Sequence, residues 1–143
     1  MTNRKYTNRR YLDALEKKVL VFDGAMGTQL QAAELSAADW VMPSAGSQAV
    51  RGASARLAGR PLDGCNELLN LTRPDVVEAV HRRYLEAGAD LIETNTFGCN
   101  PLVLGEFGLS DQARELNRLA AQIARRACER HSGGEKTRFV LGS

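Results

Sequence analysis

The chain has 143 residues, of which 43% are hydrophobic and 25% charged, enough to bury the core of one domain. A net charge of +2 with no basic run interleaved with aromatics argues against a nucleic-acid partner. No apolar stretch approaches the roughly 20 residues that span a bilayer, and the N-terminus lacks a signal peptide's continuous apolar segment. A cytoplasmic protein with no membrane partner is the expectation. Cys65, Cys99 and Cys128 are odd in number and lack CxxC spacing, so they are expected as reduced packing residues.

Residues 1–18 form an N-terminal extension. Arg9, Arg10, Lys17 and Lys18 make it mildly basic, and Tyr11, Leu12 and Leu15 give one side of a short helix. The run VLVF at 19–22 is apolar and bounded by charge and glycine, as in strands buried on both faces of a parallel sheet. A short helix is expected over 28–33. Residues 41–63 hold Arg51, Arg56 and Arg60 among small residues without an apolar period, which reads as a long surface loop.

The clearest helix lies in LTRPDVVEAVHRRYLEAGAD. Thr72 and Asp75 have the spacing of a capping box, Pro74 falls in the first turn, and Gly88 is placed to end the helix in a left-handed conformation. His81, flanked by Arg82 and Arg83, is expected at the surface. Only two residues separate this helix from a strand over 91–93, a link typical of βαβ units. A second helix is expected over 111–130 with Ser110 as N-cap, and RFVLG near the end is a third strand. Strand, helix, strand, helix, strand predicts an α/β fold with a parallel sheet and right-handed crossovers. Because the chain stops just after its third strand, the expectation is an incomplete domain over 19–143, a piece of a longer protein.

In parallel α/β folds, ligands lie at the carboxyl ends of the strands. Asp23 and Glu93 each follow the apolar part of a strand, so both are expected on one rim. They could hold a ligand ammonium or work as an acid and a base. Gly24 and Gly27 would let the backbone approach a carboxylate, while Thr94, Asn95 and Thr96 supply neutral donors and acceptors and Phe97 a wall. That mixture suits an amino acid. The alternative is a DG turn and a strand end whose side chains satisfy nearby backbone groups. Cys99 has no second ligand at metal-binding spacing, and neither His81 nor His131 makes a convincing base.

FDGAMGTQLQ, then GCNELLNLTRPDVVEAVHRRYLEAGADLIETNTFG, then RFVLGS strongly resemble the homocysteine S-methyltransferase family, and most of all the N-terminal homocysteine-binding modules of its cobalamin-dependent methionine synthases. The resemblance implies the N-terminal part of a (β/α)8 TIM barrel, about three βα units, with homocysteine at the top of the strands and zinc holding its sulfur. It also implies that Asp23 receives the substrate's amino group and that residues 24–28, through Thr28, shape the first loop. Glu93, Thr94, Asn95, Thr96 and Phe97 then form the second strand's rim. Zinc-binding cysteines are expected beyond Ser143. The methyl group is expected from methyltetrahydrofolate through cobalamin in other modules, so that this piece alone is inactive. The rival readings are a stand-alone enzyme using betaine or S-methylmethionine, and a non-catalytic binding fragment with exposed apolar edges.

Overall fold

The computed structural model describes residues 9–43, 56–133 and 136–143. The helices are α1 (Arg9–Leu15), α2 (Met26–Gln31), α3 (Leu69–Thr72), α4 (Pro74–Glu86), α5 (Pro101–Gly105) and α6 (Ala113–His131). Two strands, β1 (Leu91–Glu93) and β2 (Phe139–Leu141), pair in parallel with Leu91 opposite Phe139 and Glu93 opposite Leu141. The architecture is mixed α/β, and α6 makes the crossover between the strands.

The segment expected as the first strand flanks β1 but does not become one. It forms a single parallel bridge, Phe22 with Leu91. Asp90 and Leu91 donate their amides to the Val21 carbonyl (2.7 and 3.1 Å), and Asp23 donates its own to Leu91 (2.9 Å). The apolar pattern predicted burial on both faces, yet Val19 is 86% exposed. With β1 on one side and no partner among the described residues on the other, the ladder stops at one bridge.

α4 begins with Pro74 at its first turn, where a missing N–H leaves no orphan bond. The expected capping box is absent. Thr72 belongs to the preceding turn α3 and donates its hydroxyl to Leu68 O (3.3 Å), while Asp75 pairs with Arg73 (2.9 Å). Gly88 closes the helix at φ +111°, a region costly for any residue with a Cβ. Ser110 likewise caps nothing: its hydroxyl bonds Pro101 O (2.8 Å), and the 3-10 turn Ser110–Gln112 leads into α6. Unforeseen from the periodicity, α5 is capped by Asn100, whose side chain accepts from the Leu102 and Val103 amides.

α4 and α6 pack on β1 through Leu85, Ile92, Ala124, Ala127 and Cys128. A second cluster joins Leu30, Leu69, Val77, Val80 and Ile123, and a third gathers Met42, Leu62, Cys65, Leu68, Cys99, Leu104, Leu109 and Leu116. Each such aliphatic side chain contributes about 1.5–3 kcal/mol through burial. The third cluster revises the reading of 41–63 as plain surface loop. Residues 44–55 lie outside the described residues, but the two ends of the loop are built in. Val41 and Pro61 form an antiparallel bridge, Met42 donates to Arg60 O (3.2 Å), and Met42 and Leu62 are buried.

His81 contradicts the surface expectation. It is fully buried, and neither ring nitrogen has a hydrogen-bond partner among the described residues. Its face of α4 is shared by Val77 and Leu85, four residues either way, while Arg82 and Arg83 point outward. Burial pushes its pKa down to about 4. No helix among the described residues is long and apolar enough to cross a membrane.

Candidate functional site

The carboxyl ends of residues 19–23 and of β1 meet at a cleft of about 270 Å³, and its lining includes Asp23, Gly24, Gly27, Glu93, Thr94, Asn95, Thr96 and Phe97. The parallel alternation dictates this meeting, since parallel neighbours place their carboxyl ends at the same side. Asp23 is half-buried, and its Oδ2 accepts the Glu93 amide at 3.1 Å. Burial raises its carboxyl pKa to about 6; the Glu93 amide opposes that shift and the neighbouring Glu93 charge adds to it. Among the described residues no cation sits beside the Asp23 carboxyl, which lies at the rim of the cleft. Glu93 is exposed on the same cleft.

Tyr84 packs tightly on Gly24: a Cβ there would lie 3.0 Å from the Tyr84 hydroxyl, which itself donates to Ala25 O (3.4 Å), so a larger residue would push the ring back. Gly27 has ordinary room for a methyl group, 3.7 Å from Asn66. Thr28 is exposed on α2 and does not line the cleft.

The polar run after β1 is mostly held by the protein itself. The Thr94 and Thr96 hydroxyls bond each other (2.7 Å), and Thr94 also accepts the Ser143 amide (3.3 Å). Asn95 donates to Asn66 O (2.8 Å) and Asn70 Oδ1 (3.3 Å), while Asn70 donates back to Asn95 O (2.8 Å). All three side chains of 94–96 are buried. Phe97 stands 92% exposed at the lip.

Sequence reasoning missed the opposite wall. Asn66 and Glu67 line the cleft from a 3-10 turn, Asn66–Leu68, and Glu67 Oε1 accepts the Gly98 amide at 2.7 Å. The available signal was GCNELLN, three polar residues set among the apolar Cys65, Leu68 and Leu69, which are fully buried.

The zinc implied by the family resemblance finds no fitting donor set here. Burial pushes the thiols of Cys65, Cys99 and Cys128 up to about 11, 12 and 11, so each stays protonated inside its packing cluster. Among the described residues no group of three His, Cys, Asp or Glu side chains is placed to hold a metal ion.

Comparisons with known proteins bear on this geometry. Residues 20–143 match the family described as homocysteine S-methyltransferase. The chain is 47% identical over 132 residues to a methionine synthase of Mycobacterium tuberculosis and 48% identical to one of Mycobacterium leprae. Each alignment takes in 92% of this chain, which spans 10% and 9% of the two relatives' lengths. Crystal structures of the homocysteine methyltransferase MmuM from Escherichia coli share the fold. The metallated form superposes with a TM-score of 0.64 at 21% identity, over 91% of this chain and 39% of that one. The oxidized form gives 0.65 at 23%, over 94% and 40%. With the family match running from residue 20 to the last residue, the chain belongs to the homocysteine S-methyltransferase family.

Proposed function

We propose that this chain is the amino-acid-recognising portion of a methyltransferase that converts homocysteine to methionine. The carrying observation is the shared cleft, with the uncompensated Asp23 and exposed Glu93 on one side of a short sheet's carboxyl end. In this reading the substrate's ammonium rests against Asp23 and Glu93, and its carboxylate approaches the backbone of residues 24–27. Phe97 closes over the side chain. Thr94, Asn95 and Thr96 act through the shape of the rim, since their side chains already bond each other and the 66–70 wall.

The chain's own part is recognition and orientation of the amino-acid end. Activation of the sulfur and delivery of the methyl group need groups that these residues do not supply, so the chain by itself transfers no methyl. For the whole enzyme we favour methyltetrahydrofolate as donor through cobalamin, with zinc at the sulfur, in the cytoplasm. Both mycobacterial relatives are called methionine synthase, and the chain spans only about a tenth of each, which suits a multi-module enzyme better than a stand-alone one.

Amide NMR of the chain during titration with L-homocysteine tests this reading. Signals of 23–27 and 93–97 are expected to move together at millimolar ligand, and 4-mercaptobutyrate, which lacks the ammonium, is expected to leave them still. Equal shifts with both compounds, or none with either, would overturn it.

A further inference from the structure

The wall that sequence reasoning missed carries an inference of its own, resting on the proposed amino-acid site. Glu67 is only 8% exposed, yet it lines the cleft and makes no ion pair among the described residues. A polar side chain so placed calls for a hydrogen-bond partner. Among the described residues its side chain makes one hydrogen bond, which reaches 31 residues along the chain to the Gly98 amide at 2.7 Å, a charge-assisted distance. Gly98 answers to the same contact. Its φ is not in the left-handed region, so its backbone does not demand glycine; a Cβ there would lie 2.8 Å from Glu67 Oε1 and 3.1 Å from Val103. Beside it, Asn66 and Asn70 hold Asn95 from the same wall.

We infer that Glu67 is a positioning residue: by accepting the Gly98 amide it fixes the 94–98 rim in the shape that faces the amino-acid ligand. The 23–27 arm hangs from β1 instead, through Asp23 N to Leu91 O and Glu93 N to Asp23, and does not depend on Glu67. Loss of Glu67 therefore loosens one arm of the site and spares the other.

Three variants of the chain test this. In Glu67→Ala, homocysteine is expected to move the amides of 23–27 but no longer those of 94–97, with apparent affinity weaker by tenfold or more. Glu67→Gln keeps an oxygen at the acceptor position and should restore both arms, while the Gly98 amide proton shifts upfield as the charge assistance goes. A folded Glu67→Ala chain that responds in both arms like wild type would overturn the inference, as would equal loss in both arms. A double-mutant cycle needs no ligand: Gly98→Ala should cost at least twice as much stability in wild type as in Glu67→Ala. Equal costs in the two backgrounds would show that Glu67 does not hold this turn. If wild type itself ignores homocysteine, the proposed site fails, and the cycle still decides the hold of Glu67 on Gly98.

Discussion

Two aspartates stand at opposite ends of the same short sheet and live in opposite electrostatic conditions. Asp90, just before β1, is buried and surrounded by donors: Lys18 Nζ at 2.7 Å, Arg138 Nη1 at 3.2 Å and the Val21 amide at 3.2 Å. Burial alone would raise its pKa, but these partners hold it below the usual carboxylate value. They also tie the N-terminal segment, β1 and β2 together. Asp23, at the other end, has one amide and a second carboxylate for company, and its pKa is raised to about 6. One aspartate is satisfied by the fold, whereas the other has no such set of donors among the described residues. The contrast separates a residue that holds the sheet from the one we propose meets the ligand.

The sharpest way to break that contrast is at Asp90. Asp90→Ala leaves Arg138, whose side chain is 8% exposed, without its counter-charge. Removing one partner of a buried pair costs about 3–5 kcal/mol, which urea denaturation should register as a large fall in midpoint. A loss under about 1 kcal/mol would make the staple ornamental.

His81 gives the next largest effect and sharpens the comparison by supplying a buried group whose ring nitrogens have no hydrogen-bond partner among the described residues. Its folded pKa of about 4 lies below the unfolded value near 6.5. Its neutral form therefore favours folding above pH 6.5, and that stability drains as pH falls towards 4, by about 3 kcal/mol in all. His81→Leu should flatten the stability profile across that window.

Asp23 should behave in the reverse sense. With the folded pKa raised, its contribution is fully present below pH 3.8 and lost as pH rises through 6. Asp23→Asn should therefore stabilise the ligand-free chain above pH 6. Because the carboxyl is half exposed, solvent screening leaves about 1 kcal/mol. The same substitution should weaken homocysteine binding, a trade that Asp90→Asn cannot show. Phe97→Ser is expected to matter least for stability, within about 0.5 kcal/mol, because the ring is already in water. A measurable loss of homocysteine affinity in that variant would separate wall from scaffold.

How much of this is readable in the sequence depends on the range of the interactions. β1, β2, α4 and α6 follow from local apolar rhythm, with Pro74 and Gly88 as punctuation, and the common rim of Asp23 and Glu93 follows from parallel alternation. Residues 19–22 look like a buried strand because composition records apolarity, but a strand also needs neighbours, and among the described residues only β1 supplies one. The misreadings at Thr72 and Ser110 share a cause: each hydroxyl donates to an earlier carbonyl, Leu68 O and Pro101 O, instead of serving as a cap. His81 was misplaced because its arginine neighbours masked the face it shares with Val77 and Leu85. Glu67, Asn66 and Asn70 escaped because their partners lie 25–31 residues away, beyond any local pattern.

The titration of the Asp23 side-chain carboxyl, followed by carbon NMR with and without saturating L-homocysteine, goes to the heart of the account. A midpoint near 6 in the ligand-free chain, falling by a unit or more when the ammonium binds, is the expected result. A midpoint near 3.8 that homocysteine leaves unmoved would mean that Asp23 is an ordinary surface acid and that the amino acid is recognised elsewhere.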